Sequence, residues 1–317
     1  MGNFLSMLFT TDFFYSIFRI SAPILFATLG AVVVEKAGFA NIGLEGMMMV
    51  SALFGSLSAY WSGSWLIGVL AAVLVGIFMG LLMGFFAFKL RTDVILTGIA
   101  VNMIGGGGTL FLVNVITNLT EGASMASTTS LITQKLQIPT VDIPLLKSIP
   151  ILGPIFSGHS VLTYLAFLMV LFTWAMLYKT PLGLNIRSVG ENPNAAASVG
   201  VSVSRIRYIA IAFSGAMAGF GGAFMSMYYS MGWSQDMVAG RGFIALAAQA
   251  MGNGEPFGSM LSALLFGFAQ ALGVKVSATG VDSNLVSPIP YVVTILGLVV
   301  FALLARKHRT KRLTAVK

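Results

Sequence analysis

Long apolar stretches recur along this chain, each a run of Leu, Ile, Val, Phe, Met, Ala and Gly with its charges gathered at the ends. About 20 such residues are what an α-helix needs to cross a bilayer. The pattern predicts spans at residues 13–34, 43–60, 66–88, 94–117, 160–178, 206–230, 240–251, 258–274 and 289–305. An open strand in lipid would leave backbone groups unpaired, so every span is expected to be helical. The stretch 240–251 is short and reads as a half-helix or re-entrant piece. The expectation is an all-α, polytopic membrane protein: about nine transmembrane helices, or eight plus one broken element, in a single domain over residues 1–317.

Composition sharpens this picture. The chain is 57% hydrophobic and 9% charged, where a soluble domain carries about 25% charged residues. That excludes a soluble enzyme and a disordered protein, and the absence of Cys excludes a disulfide scaffold. No cleavable leader pattern is evident in residues 1–10.

Lys and Arg set the expected orientation. With the C-terminus in the cytoplasm, 13 of the 18 basic residues fall inside, among them Lys36, Lys89, Arg91, Lys179, Arg187, Arg205 and Arg207. Four fall outside (Lys135, Lys147, Arg241, Lys275) and Arg19 lies within the first span. This bias fits the positive-inside rule. The basic tail 306–317 reads as an anchor on anionic membrane lipid, with no nucleic-acid partner expected.

Two long connections stand out. The outer one, 118–159, mixes apolar residues with Pro139, Pro144, Pro150 and Pro154. It is expected to pack on the membrane face, either as a plain connector or as a docking surface for an external partner. Glycines crowd the spans: Gly76, Gly80 and Gly84 at four-residue spacing, Gly105–Gly108 in a row, and Gly215, Gly219, Gly221 and Gly222 together. Small residues four apart let helices approach closely in lipid. A run of four should break or loosen its helix, as happens where backbone lines a cavity or path.

Enzyme chemistry is missing. There is no Gly-Lys-Ser or Gly-Lys-Thr phosphate loop, and no nucleophile with a base beside it lies in a span. His159 and His308 are too few and too far apart for a metal site. Glu35, Lys36, Asp93, Asp236, Arg241, Lys275 and Asp282 fall at span ends, and Glu45, near the start of the second span, departs from them. An ion-coupled carrier would bury such groups at mid-bilayer, so the energy for transport is expected to come from elsewhere.

The inner connection, 179–205, offers a candidate source. Asn192 is a good N-cap, and Pro193 is pre-set for the first helical position. Asn194, Ala195, Ala196, Ala197 and Ser198 continue as a short helix to Val199, with Gly200 as its stop. Two turns, about 10 Å, are marginal alone in water and need a surface to pack on. The small side chains suit a groove in another protein; the competing reading is a connector lying on the membrane. Arg187 and Glu191 flank the stretch and are placed to form ion pairs. A bulky charged residue at Ala196 is expected to abolish transport and leave assembly intact.

This loop, followed by FSGAMAGFGGA at 213–223, resembles the permease subunits of type II ABC importers, the branched-chain amino acid, ribose and nucleoside group. The run EKAGFANIGLEGMM at 35–48 is similar to the nucleoside (simple-sugar) branch in particular. So are GEPFG at 254–258, IPILG at 149–153 and the final span, and the resemblance covers nearly the whole chain. It implies a bacterial plasma-membrane importer with divided labour. An external binding protein, often a lipoprotein, delivers the solute. Two homologous permease subunits form the path, and separate ATPase subunits, holding ATP and Mg, drive it. This chain would bind no cofactor or metal itself, and Asn192–Val199 would be the coupling helix.

Asn41, Glu45, Asn102, Gln249, Asn253 and Gln270 are the polar groups expected near the path, since they sit in or beside Gly-interrupted spans. Amides can meet ribose hydroxyls or base edges without burying net charge. Interhelical hydrogen bonding is the competing role for each, and Glu45 has the further option of pairing with Lys36 or Arg91. The alternatives to a nucleoside importer are a permease for ribose-like sugars or branched-chain amino acids, and an ion-coupled carrier or channel working alone.

Overall fold

The computed structural model describes residues 10–119, 136–143, 152–277 and Val292. Helix α1 (Thr11–Lys36) carries Asp12 in its first turn and Lys36 in its last, each favourable to the helix dipole. Its residues from Ile20 to Val34 are buried throughout, so α1 runs through the interior. Helix α2 (Leu44–Ser62) is buried over most of its length and ends at Gly63, whose left-handed backbone (φ 68°) closes it.

Helix α3 (Trp65–Gly84) continues as a π-helical turn, Phe85–Lys89. Leu66, Leu70, Leu74 and Phe78 face outward, while Gly68, Ala72, Gly76 and Gly80 face inward. Large residues outside and small residues inside suit a helix solvated by lipid, where close backbone approach holds helices together. Asp93 caps helix α4 (Val94–Met103), accepting from the Ile95 and Leu96 amides at 2.9 Å each. A π-helical turn, Ile104–Gly108, joins α4 to α5 (Thr109–Leu119). The four glycines loosen this helix without breaking it.

Within the connection 118–159, β1 (Thr140–Val141) pairs antiparallel with β2 (His159–Ser160), Thr140 opposite Ser160. Buried His159 stacks on Tyr15 of α1 with ring centroids 4.0 Å apart, and the Ile138 amide donates to the Met227 carbonyl at 3.2 Å. The described part of this connection is therefore packed on the helices.

Helix α6 (Val161–Lys179) is capped by Ser160, and Thr180 then caps α7 (Pro181–Glu191). Helix α8 (Pro193–Ser198) follows at once. Helix α9 (Val203–Phe224) ends in a third π-helical turn, Met225–Tyr229. Helices α10 (Arg241–Met251) and α11 (Pro256–Ser277) close the described chain.

Among the described residues, six helices are long and apolar enough to cross a bilayer by length and composition: α1, α3, α4 with α5, α6, α9 and α11, the π turns included. Helix α2 is enclosed among α3, α9 and α4. The eleven residues of α10, about 16 Å, are too few to cross, in line with a re-entrant piece. The two glycine clusters meet each other. A Cβ on Gly76 would strike the Gly215 carbonyl, and one on Gly80 would stand 2.6 Å from the Ile211 carbonyl oxygen. Apart from Val292, the span expected at 289–305 lies outside the described residues, as does the tail 306–317.

Candidate functional site

Between α1 and α2 the chain climbs into the bundle. Gly38, left-handed at φ 86°, lies against Gly190 of α7. At Gly43 a Cβ would stand 3.2 Å from the Val101 side chain, seven residues or about 10 Å into α4. Helix α2 thus starts inside, where its first amides need partners. The Asn102 Oδ1 accepts from the Gly46 amide at 2.8 Å, and its Nδ2 donates to the Ile42 carbonyl at 2.9 Å. Buried Asn41 donates to Ser214 Oγ of α9 at 2.9 Å and accepts from the Gly43 amide at 3.1 Å.

Glu45 extends this node to α10. Its Oε1 accepts from the Gly240 amide at 2.8 Å and its Oε2 from the Gly242 amide at 2.6 Å. A carboxylate at a helix N-terminus gains from both the free amides and the dipole. The approach requires glycine at 242, where a Cβ would stand 2.5 Å from the Glu45 amide nitrogen. The alternative pairing of Glu45 with Lys36 or Arg91 is not formed: Lys36 is bound to Glu255, and Arg91 is exposed in a left-handed turn.

The six polar residues expected near a path are therefore not one row. Asn41, Glu45 and Asn102 form a single node that ties α2, α4, α9 and α10 together. Gln249 is buried on α10 with its Nε2 unpartnered. Gln270 is half-buried well along α11, and Asn253 is exposed with left-handed backbone (φ 56°) in the turn after α10.

At the end of the bundle where α1 and α6 finish, α7 and α8 make a ledge. Thr180 and Pro181 start α7 as N-cap and first residue, so the connection 179–205 is helical before α8 as well as at it. Arg187 and Glu191 lie on α7, not in flanking coil. The expected ion pairing at Arg187 is absent: its guanidinium stacks on the Tyr178 ring at 4.8 Å, and Lys36–Glu255 is the one ion pair among the described residues.

Asn192 caps α8 as expected, accepting from the Asn194 and Ala195 amides at 3.1 and 3.0 Å. Gly200 stops it with φ 87°. Ala195, Ala197 and Ser198 are exposed, and Val199 is 79% exposed, an unusual value for an aliphatic side chain. Ala196 is only 3% exposed. A charged residue at Ala196 would therefore break the ledge's own packing and would not leave assembly intact.

Beside the ledge, Glu255 in the α10–α11 turn accepts from Lys36 Nζ at 2.9 Å and from the Tyr178 hydroxyl at 2.6 Å to each oxygen. Burial pushes its carboxyl up, but the hydrogen bonds of Tyr178 and Lys36, with the charges of Lys36 and Arg187, hold it below the usual carboxylate range. Tyr178 carried no signal in the sequence beyond closing a span.

Membrane-length helices around an internal polar node, with a short capped ledge at one end, define an all-α multi-pass membrane protein. The chain belongs to the family described as branched-chain amino acid transport system / permease component, whose model matches residues 13–304. It is similar to the guanosine ABC transporter permease protein NupQ of Bacillus subtilis, at 35% identity over 89% of each chain. It is also similar to the nucleoside ABC transporter permease protein NupC of Lactococcus lactis, at 34% identity over 89% of each. The NupB nucleoside permease of that organism matches at 25% identity over 83% of this chain and 73% of its own. The chain is an ABC transporter permease component.

Proposed function

We propose that this permease carries nucleosides into the cell, driven by ATP hydrolysed on a separate subunit that engages α8. The observation that carries the coupling role is the ledge itself. Helix α8 is capped at both ends, anchored by Ala196, and presents Ala195, Ala197 and Val199 outward. The nucleoside assignment is supported by the two relatives at 34–35% identity, whose names specify guanosine and nucleosides. A second, distinct permease subunit is supported by Lactococcus lactis, where both NupC and NupB are named nucleoside permeases. An extracellular binding protein completes the system, and ATP and Mg belong to the ATPase subunit.

The ledge lies at the end where Lys36, Lys89, Arg91, Lys179, Arg187, Arg205 and Arg207 cluster, which the positive-inside rule assigns to the cytoplasm. Gln249 and Gln270 are the polar groups we assign to the solute path. The node of Asn41, Glu45 and Asn102 holds α10 in position beside it, and Asn253 lies at the cytoplasmic mouth.

The chain has no Cys, so single cysteines at Ala195 or Ala197 give clean probes. In the complex co-expressed with its ATPase and second permease, a cross-linker from these positions should capture the ATPase, and labelled uridine or guanosine supplied with the extracellular binding protein should enter vesicles only with ATP. Cross-linking to lipid alone, or transport by this subunit without ATP, overturns the reading.

A further inference from the structure

Four parts of the chain converge beside the ledge around an open cavity of about 630 Å³. Helix α1 contributes Glu35 and Lys36, α6 contributes Tyr178, α7 contributes Arg187, and the α10–α11 turn contributes Glu255. The contacts run in series. The Arg187 guanidinium lies 4.8 Å from the Tyr178 ring centroid, the Tyr178 hydroxyl donates to both Glu255 oxygens at 2.6 Å, and Lys36 donates to the same carboxylate at 2.9 Å.

Backbone contacts reinforce the series. A Cβ on Gly190 of α7 would strike the Lys36 carbonyl, and one on Gly254 would stand 2.8 Å from Glu35 Oε2. The turn is itself set by two left-handed residues, Asn253 (φ 56°) and Gly254 (φ 64°). Helix α7 reaches α8 across a single residue, and the turn ends α10, whose other end is held by Glu45. One continuous set of contacts therefore joins the ledge to the re-entrant helix.

We infer that Arg187, Tyr178, Glu255 and Lys36 are the relay through which movement of α7 and α8 displaces the α10–α11 turn. They are positioning residues, touching neither solute nor nucleotide. A displacement of α7 carries Arg187 and pulls on Glu255 through Tyr178, while Lys36 on α1 supplies the fixed point. A chain of discrete polar contacts has two arrangements, made and unmade, as an element that couples two sites requires. The relay rests on the reading that α8 receives an ATPase subunit, and the test separates the two.

The test uses the full complex in proteoliposomes, with nucleoside uptake and ATP hydrolysis measured in the same sample. Glu255→Gln, Tyr178→Phe and Lys36→Met should each lower the solute carried per ATP by about fivefold or more, the low end of typical coupling factors. Lys36→Arg, which keeps the ion pair, should hold the parent's ratio. A merely structural role would lower uptake and hydrolysis together and leave the ratio unchanged, and that result overturns the relay. Cross-linking from Ala197→Cys to the ATPase should persist in Glu255→Gln. If it persists with an unchanged ratio, the relay fails alone. If the parent complex shows no such cross-link, the docking reading falls and takes the relay with it.

Discussion

Glu45 and Gly242, 197 residues apart, meet where a carboxylate closes the start of a helix inside the bundle, with the Gly242 amide 2.6 Å from Glu45 Oε2. A carboxylate at mid-bilayer costs about 2.5–3.5 kcal/mol or more. Two charge-assisted bonds and the α10 dipole offset that cost. Glu45→Ala should therefore destabilise the permease by about 1–3 kcal/mol, the penalty for leaving buried donors unpaired. Glu45→Gln should fall between parent and Ala, since its amide can accept from one N–H and presents its own NH2 to the other. Thermal unfolding in detergent gives the order, and equal stability of all three variants would remove the capping role.

The glycine run gives a sharper contrast. A Cβ on Gly105 would strike Gly46 of α2, while one on Gly106 or Gly107 would meet nothing within 4 Å. Gly105→Ala should force α2 and α4 apart and cut the yield of folded protein. Gly106→Ala should be neutral or stabilising, by up to about 1 kcal/mol from helix propensity. Size-exclusion profiles and melting curves of the two variants check this. Equal damage from both would mean that close approach at Gly105 is not what the run provides.

Much of this fold is legible because lipid imposes a simple code. Apolar runs with charged ends locate α1, α3, α6, α9 and α11 to within a few residues, and the short run at 240–251 marks α10. The cap and stop of α8 are equally readable, since Asn192, Pro193 and Gly200 act locally. Helix α7 is harder to see because Pro181, Gly183 and Gly190 give PLGLNIRSVGE the look of a loop, although Thr180 and Pro181 announce its start. What sequence could not supply is which polar residues meet. Glu45 has candidate partners at Lys36 and Arg91 in the sequence, but its partners are backbone amides nearly 200 residues away. Backbone donors carry no residue identity, so such a pairing leaves no motif.

The two faces of α8 should respond differently. Ala196 is buried against the rest of the chain, so Ala196→Asp should lower the amount of folded permease. Ala197→Asp and Val199→Asp place charge on exposed positions, and should leave folding and pairing with the second permease intact while uptake falls. Fluorescence size-exclusion of the permease pair, set beside uptake in the same cells, distinguishes the two behaviours. If Ala197→Asp and Val199→Asp transport normally, the exposed face of α8 is not where force enters.

Acid should dissolve the contact at Glu255 in a defined direction. Its carboxyl is held below the ordinary range in the folded protein by Tyr178 and Lys36, against the upward push of burial. The folded state therefore binds this proton less readily than the unfolded chain, whose Glu titrates near about 4.3. The stabilisation is fully present above that value and is lost as pH falls through the lower, folded one. With the Glu255 side chain 47% exposed and the pair screened by solvent, the contribution should stay below about 1 kcal/mol. Melting temperatures of parent and Glu255→Gln should thus differ slightly at pH 7 and converge as the pH drops below 4. A gap that widens in acid would mean that the carboxyl is held protonated in the folded state, opposite to the contacts that surround it.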